Sequence, residues 1–193
     1  MSRPDAFQSL ASTLRGLAPL GDPALAALRG ITETRSFAAH EFLLRAGDTA
    51  RLCYWIEQGL VRELYIAADG SEHIQRFLAE GELTGSLLDL LSGKPAVTFV
   101  QALEPTEVLC WDYARFDELC AELPDLQLAA RRFTERLYIW NARHEHDLLA
   151  MSARERLTQW LTAQPNLDAR VSRRHLASYL GITPEHLSRL RRA

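Results

Sequence analysis

Three polar residues near the end of the sequence have the types and spacing needed to read base edges in DNA. Glu185, Ser188 and Arg189 lie on one short amphipathic segment that begins at Pro184. On a helix, Glu can accept a hydrogen bond from cytosine N4, Arg can bind guanine O6 and N7 together, and Ser can bind either base. The alternative is a surface ion pair between Glu185 and Arg189, which are four residues apart. We favour base reading, because an acid close to DNA phosphates is otherwise unfavourable.

The elements that must position these residues are two short helices with a tight turn between them. Gly181 supplies the left-handed turn, and Ser172 and Thr183 stand where the N-cap of each helix belongs. The apolar residues fall on one side of both helices: Leu176, Ala177, Leu180, Ile182, Leu187 and Leu190. The pattern predicts a helix-turn-helix, with an ordinary packed helical hairpin as the alternative.

The charge distribution favours a nucleic-acid partner for this end of the chain. Residues 151–193 carry eight Arg, no Lys and three acids, a formal charge of +5, which leaves −8 for residues 1–150 because the whole chain carries −3. An acidic body with a basic end is expected when only one domain contacts phosphate. The residues predicted to contact the DNA backbone are Ser172, Arg173, Arg174, Thr183, His186, Arg191 and Arg192.

Upstream of this basic end, the sequence predicts a β domain preceded by helices. Between residues 30 and 111, short apolar runs recur roughly every ten residues with Gly or Pro between them, as in all-β sandwiches and barrels. Asp69-Gly70 predicts a type I′ hairpin turn. The glycine-bracketed segment 85–93 predicts one short helix, and residues 5–29 predict two more, the second capped by Asp22.

A long helix is predicted from Pro124 to about residue 149, and its apolar positions follow the rhythm of a coiled-coil seam. The residues of this predicted dimer seam are Leu126, Ala130, Phe133, Leu137, Trp140 and His144. A helix packed on its own β domain would show the same stripe. His144 is polar at a place where two copies would meet, so a pH or register role is one interpretation and a partly exposed seam edge is the other.

Composition excludes several classes of protein. No apolar run approaches the roughly 20 residues that span a bilayer, and the N-terminus lacks the apolar core of a signal peptide, so we expect a cytoplasmic protein with no membrane partner. Cys53, Cys110 and Cys120 are widely spaced and are predicted to be buried apolar residues. A metal-dependent enzyme on a β barrel needs clustered ligands, but the strand region holds only His40 and His73. We predict no enzyme activity, catalytic residue, metal or bound cofactor.

Taken in order, these elements resemble the Crp/Fnr family of bacterial transcription regulators. The resemblance covers nearly the whole chain and includes turn-forming glycines at Gly47, Gly59, Gly81 and Gly85. It implies an α+β fold, with N-terminal helices at 1–29 and a cyclic-nucleotide-binding-like antiparallel β jelly roll at 30–123. It then implies a dimerisation helix at 124–150 and a helix-turn-helix DNA-binding domain at 151–193. Because the sequence stops at Ala193, we expect the short-ended branch without a wing.

The resemblance also implies where an effector would bind. In members that bind cyclic AMP, an Arg-Ser pair and a Glu hold the phosphate and the ribose, while backbone amides of a short helix donate to the phosphate oxygens. Here Ser86 stands at the Glu position and Ala96-Val97 at the Arg-Ser positions. We therefore expect no cyclic nucleotide. The candidate pocket for another small effector comprises Gly85, Ser86, Leu87, Lys94, Ala96, Val97 and Thr98.

The resemblance and the basic end together predict a dimeric, sequence-specific regulator of transcription that binds double-stranded DNA. The alternative is a sensor or partner-binding module of the same fold that does not bind DNA. Whether RNA polymerase and an unidentified small-molecule effector are further partners is left open.

Overall fold

The computed structural model describes residues 6–192, apart from the side chain of Ala6, so the first five residues of the predicted segment 1–29 and Ala193 of the segment 151–193 lie outside the described residues. Two helices come first, α1 (Ala6–Leu17) and α2 (Asp22–Gly30). The prediction that Asp22 caps the second helix is wrong, because Gly21 is the N-cap residue. Asp22 lies in the first turn and accepts a hydrogen bond from Arg15 at 2.7 Å.

Eight strands follow. Their bounds are β1 (Glu33–Phe37), β2 (Phe42–Leu44), β3 (Leu52–Gln58), β4 (Val61–Ile66), β5 (Glu72–Leu78), β6 (Leu83–Thr84), β7 (Phe99–Ala102) and β8 (Thr106–Asp112). One sheet has the order β1-β8-β3-β6 and the other β2-β7-β4-β5. The pairings of β8 with β1 and β3, and of β2 with β7, are antiparallel, as predicted for a jelly roll.

Alternation along β8 explains why the domain has two apolar clusters. Val108 and Cys110 pack in a cluster between the two sheets, whereas Leu109 and Trp111 point the other way and pack in a cluster that includes α1 and α2. All four residues are at most 5% exposed. The N-terminal helices therefore cover one face of the β1-β8-β3-β6 sheet.

The turn between β4 and β5 differs from the predicted type I′ turn. Gly70 has a φ of +83°, but Asp69 is not left-handed, so only one of the two residues that a type I′ turn requires has positive φ. The N–H of Gly70 donates to the carbonyl of Ala67 at 2.9 Å, which makes Ala68 and Asp69 the centre of the turn. The Asp69 carboxylate accepts from the N–H of Ser71 at 2.9 Å and holds this wider loop in place.

Two of the glycines that carry the resemblance are explained by close backbone approach. Gly59 has a φ of +112°, and a Cβ there would lie 2.4 Å from the hydroxyl of Thr106. Gly85 has a φ of +136°, and a Cβ there would lie 2.6 Å from the carbonyl oxygen of Leu52. Neither position can hold a side chain without moving a neighbouring strand.

Six further helices complete the described chain. They are α3 (Leu87–Ser92), α4 (Tyr113–Glu122), α5 (Pro124–Ala150), α6 (Ala153–Ala163), α7 (Arg173–Tyr179) and α8 (Pro184–Leu190). Ser152 and Glu155 form a reciprocal capping box at the start of α6. No helix in the described part of the chain has both the length and the apolar character needed to cross a bilayer.

The three cysteines are buried free thiols, as the sequence predicts. Desolvation by burial raises the pKa of Cys53 to about 12 and the pKa of Cys110 and Cys120 to about 11. Each thiol therefore stays protonated at neutral pH and packs as a small apolar residue.

The chain separates into two compact units. One unit comprises residues 1–63 and 77–136, and the other comprises residues 64–76 and 137–193. The division falls within α5 and places the end of the β4–β5 hairpin with the C-terminal helices, whereas the predicted segments divide the chain before and after α5. Each unit is described separately below.

Candidate functional site

The helix-turn-helix of the second unit is built as its capping residues predict. The hydroxyl of Ser172 accepts from the N–H of His175 at 3.1 Å, and that of Thr183 accepts from the N–H of His186 at 3.2 Å. Gly181 makes the left-handed turn with a φ of +67°. Ala177 is fully buried, so α7 and α8 pack closely.

Glu185 and Arg189 are exposed on α8, and they do not form the surface ion pair that was the alternative to base reading. In the part of the chain that the structure describes, the Arg189 guanidinium forms no hydrogen bond or salt bridge. Hydrogen bonds from its own backbone N–H and from Thr183 hold the pKa of Glu185 below its usual range, with a smaller effect of the Arg189 charge. Glu185 is therefore ionised at neutral pH and can accept a hydrogen bond.

Ser188, the third predicted base reader, is half-buried and already has a partner. Its hydroxyl accepts a hydrogen bond from Nη2 of Arg192, one turn further along, at 2.9 Å. This contact places Arg192, a predicted backbone contact, beside the base-reading residues. The hydroxyl keeps its own hydrogen available for donation to an acceptor on DNA.

The residues predicted to contact the DNA backbone differ in whether their side chains already have a partner within the chain. Arg173 and Arg174 are exposed and, among the described residues, form no hydrogen bond or ion pair through their side chains. Arg191 instead bonds the carboxylate of Asp168, in the loop before α7, with Nη1 to Oδ2 at 3.3 Å and a shorter contact from Nη2. The Arg191 side chain is thus already paired within the chain. His186 is half-buried beside the N-terminal end of α8.

An aromatic column stands behind the helix-turn-helix in the same unit. His144 stacks between Trp140 and Tyr179, with ring centroids 5.0 and 5.1 Å away, and Arg76 lies over Trp140 at 5.0 Å. Desolvation lowers the pKa of His144. These contacts hold α5 and α7 together.

The end of the β4–β5 hairpin also contacts α7 in this unit. The hydroxyl of Ser178 donates to the carbonyl of Glu72 at 2.6 Å and accepts from the N–H of Ile74 at 3.1 Å. One side chain therefore satisfies a donor and an acceptor at the start of β5.

The predicted seam residues of α5 face their own chain. Leu126 is fully buried in the apolar cluster around α1 and α2, and Ala130 and Phe133 pack against that cluster. Leu137 is half-buried, and Trp140 and His144 belong to the aromatic column. Of these six side chains only Leu126 is fully buried and the other five are half-buried, so the chain covers this stripe in part and the dimer seam stays a prediction.

A different face of α5 carries the exposed apolar side chains. Tyr138 is 73% exposed and Leu149 is 82% exposed. Eleven residues are close to three helical turns, so these two side chains lie on one face, with Ala142 and the exposed Glu145 between them. Ile139 and Leu148 flank that face and are 48% and 40% exposed. We call this surface, Tyr138, Ala142 and Leu149, the outer face of α5.

The predicted effector pocket of the first unit is mostly closed. Ser86, Ala96 and Thr98 are buried, whereas Lys94 and Val97 are exposed and Leu87 is half-buried. Gly85 alone of the predicted set lines a cavity of about 350 Å³. That cavity has Arg35, Arg51 and Tyr54 in its wall, so it lies beside the predicted pocket rather than in it.

A residue that the sequence reasoning missed fills the centre of this region. The carboxylate of Asp89, on α3, accepts hydrogen bonds from the N–H of Val97 at 3.0 Å, the N–H of Thr98 at 3.2 Å and the hydroxyl of Ser86 at 2.7 Å. Its side chain is 3% exposed. The only signal in the sequence is a single acid in the otherwise apolar run Leu87–Leu91. We call Ser86, Asp89 and residues 96–98 the cassette.

The cassette differs from the arrangement that the resemblance implies for cyclic-AMP binding. The Asp89 carboxylate already takes the N–H donors of residues 97 and 98, and an Arg is lacking at position 96. Among the described residues, no three His, Cys, Asp or Glu side chains lie close enough to hold a metal ion.

The fold and the two sites define a class of protein that joins a cyclic-nucleotide-binding-like jelly roll to a helix-turn-helix. A family model described as "Cyclic nucleotide-binding domain" matches residues 34–122. Two solved structures share the fold with a TM-score of 0.70: the c-di-GMP responsive global regulator CLP of Xanthomonas campestris, at 19% identity, and FixK2 of Bradyrhizobium japonicum, at 23%. They cover 89% and 84% of this chain, over 90% and 83% of their own.

Two characterised relatives are similar over most of the chain. The fumarate and nitrate reduction regulatory protein of Vibrio cholerae is 30% identical over 77% of this chain and 63% of its own length. The transcriptional activator protein anr of Pseudomonas aeruginosa is 31% identical over 78% of this chain and 65% of its own length. These similarities support the assignment of the chain to the Crp/Fnr family of transcription regulators. Its similarity spans less than two thirds of the length of these two relatives.

Proposed function

We propose that the protein is a dimeric, sequence-specific DNA-binding regulator of transcription whose jelly-roll domain binds no cyclic nucleotide. The observation that carries the proposal is the exposed Arg189 guanidinium on α8, which has no ion pair among the described residues and stands four residues after an ionised Glu185. A helix of this kind can enter the major groove and present both side chains to base edges.

The surroundings of α8 support binding to the DNA backbone. Arg173 and Arg174 begin α7 with exposed, uncommitted side chains, and Arg192 reaches across to Ser188. Phosphate contacts of this kind add affinity and salt dependence but no sequence choice. The names of the two relatives, a regulatory protein and a transcriptional activator, support the same role.

The outer face of α5 supports association with a second copy. Tyr138 and Leu149 expose large apolar side chains on one face of a long helix, and burial of that face against its symmetry mate would remove them from water. Two copies would present two recognition helices to one site on DNA. Contact with RNA polymerase and an effector other than a cyclic nucleotide are further predictions from the sequence.

The proposal is tested by fluorescence anisotropy with a labelled random-sequence duplex, titrated with the full chain at several salt concentrations. We expect binding that weakens steeply with salt, and a shallower salt dependence for the double variant R173A/R174A. The double variant R131A/E135A, which removes an exposed ion pair on α5, is the control with unchanged net charge. A folded protein that binds no duplex at low salt would overturn DNA binding and favour a partner-binding module.

A further inference from the structure

The hydrogen bonds around the Asp89 carboxylate resemble those that a protein makes to a bound anion. Two backbone N–H groups and the hydroxyl of Ser86 donate to it, and the hydroxyls of Ser86 and Thr98 are themselves 3.0 Å apart. These donors come from both ends of the cassette, because Ser86 precedes α3 whereas residues 97 and 98 precede β7. The carboxylate therefore links the start of α3 to the segment before β7.

No cation in the described part of the chain balances this carboxylate. Among the described residues, Asp89 has no Arg, Lys or His partner, and Lys94, the basic residue of the same loop, is exposed. A buried carboxylate without a counter-ion is unfavourable unless N–H and O–H donors satisfy it. The hydrogen bonds to the charged form outweigh desolvation, so the pKa of Asp89 is lowered. The cassette is thus an anion-binding arrangement made only of uncharged donors.

The backbone around the carboxylate is shaped to keep it there. Ser86 is one of two non-glycine residues with positive φ among those described, at +49°, and it directly follows Gly85 at +136°. This unusual backbone turns the Ser86 hydroxyl to within 2.7 Å of the carboxylate. An unfavourable conformation of this kind persists only where surrounding contacts maintain it, and the bond to Asp89 is such a contact.

We propose that the Asp89 carboxylate is the resident anion of the cassette and excludes phosphorylated ligands from it. A cyclic phosphate would need the N–H groups of residues 97 and 98, which Asp89 already occupies, and it would bring a second negative charge beside a buried one. The inference rests on the proposed function, in which the jelly-roll domain binds no cyclic nucleotide, and it supplies a physical reason for that property. Asp89 is then the residue that prevents nucleotide binding. The inference concerns the jelly roll alone and stands whether or not the protein binds DNA.

The inference is tested by removing the carboxylate and returning an anion from solution. The melting temperature of Asp89→Ala is measured in chloride, formate and inorganic phosphate at equal ionic strength, beside the wild-type chain and Asp117→Ala. Asp117 is an exposed carboxylate on α4 with no hydrogen bond or ion pair among the described residues, so its loss leaves the cassette unchanged. Because phosphate stabilises many proteins through exclusion from their surface, only the difference between variants is interpreted.

We expect formate or phosphate to raise the melting temperature of D89A by about 3 °C more than that of the wild type or D117A, since a ligand that binds only the folded state stabilises it. Equal responses in all three proteins would overturn the inference. So would saturable binding of cyclic AMP by the wild-type chain in calorimetry.

Asp89→Asn is the second variant, in case D89A does not fold. The Asn side chain keeps the shape of Asp, but its amide N–H₂ faces a group that donates a hydrogen bond to the carboxylate in the wild type, so two donors face each other. We expect D89N to melt several degrees below the wild type, and formate to leave that difference unchanged because the space remains filled. A D89N protein as stable as the wild type would contradict a role for the resident charge.

Discussion

Arg191, one residue after α8, bonds the carboxylate of Asp168 in the loop before α7, with Nη1 3.3 Å from Oδ2. The side chains are only 29% and 27% exposed, so the pair is partly shielded from water. The ion pair ties the segment that follows α8 to the loop that precedes α7. It also removes one Arg from the set available to DNA phosphates.

This relationship predicts that Asp168→Asn strengthens binding to DNA of any sequence. Release of Arg191 adds one phosphate contact, so we expect a severalfold gain in affinity at low salt and a steeper salt dependence by about one unit of slope. Anisotropy with a random duplex measures both. Asp117→Asn removes the same charge from the jelly roll and is the control. If the two variants gained equally, net charge rather than Arg191 would be responsible.

Arg189 and Arg174 are predicted to differ in what their loss does. Arg189→Ala removes a base contact, so it should relax sequence choice at one position of each half-site at a cost of about 1–3 kcal/mol on the preferred sequence. Arg174→Ala should weaken binding to all sequences alike. Affinities for a selected site and for single-base variants of that site measure the difference. The assignment of Arg189 to base reading fails if R189A keeps the wild-type ranking of those variants.

The outer face of α5 is predicted to form the dimer contact. Leu149→Glu replaces the most exposed apolar side chain of this face with a charge, so we expect a shift towards monomer in analytical ultracentrifugation at micromolar concentration. Leu161→Glu is the matched control, because Leu161 is also an exposed Leu, 40% exposed on α6, and lies outside this face. A dimer that survives L149E and dissociates with L161E would place the contact elsewhere.

His144 is predicted to make the second unit less stable in mild acid. Burial lowers the pKa of His144, while Asp147 opposes this shift and Arg156 adds to it. As the pH falls below about 6.5, the unfolded chain takes up the proton before the folded chain does, so stability falls until the lowered pKa is passed. His144→Phe keeps a ring in the stack but does not titrate.

We therefore expect a smaller loss of melting temperature between pH 7.5 and 5.5 for H144F than for the wild type. The comparison is a difference between two proteins, which cancels the contribution of the other histidines. Identical pH dependence in the two proteins would show that His144 does not titrate between the folded and unfolded states.

Local signals in the sequence were sufficient to place most helices and turns. Ser172, Thr183 and Gly181 act at the positions that their chemistry predicts, because capping and left-handed turns depend on neighbouring backbone alone. Asp69-Gly70 also marks a real hairpin. The turn type was wrong because the loop between β4 and β5 is longer than the two residues that a type I′ turn connects.

Features that depend on long-range packing were beyond the sequence. The stripe from Leu126 to His144 was recognisable as a covered face, but periodicity does not state what covers it, and the chain itself supplies part of that cover. Asp89 was missed for a related reason. A single acid on a short helix usually faces solvent, and only the approach of residues 97 and 98 shows that this one is buried.

The central claim, that two copies of the helix-turn-helix read one DNA site, is tested most directly by selection of genomic or random duplexes with the purified protein at low salt. We predict enrichment of a two-fold symmetric sequence whose half-sites are centred about 34 Å apart, one turn of DNA. Loss of base preference at one position of each half-site with R189A would assign the reading to α8. A well-folded protein that enriches no sequence, or enriches only an isolated half-site, would contradict the claim.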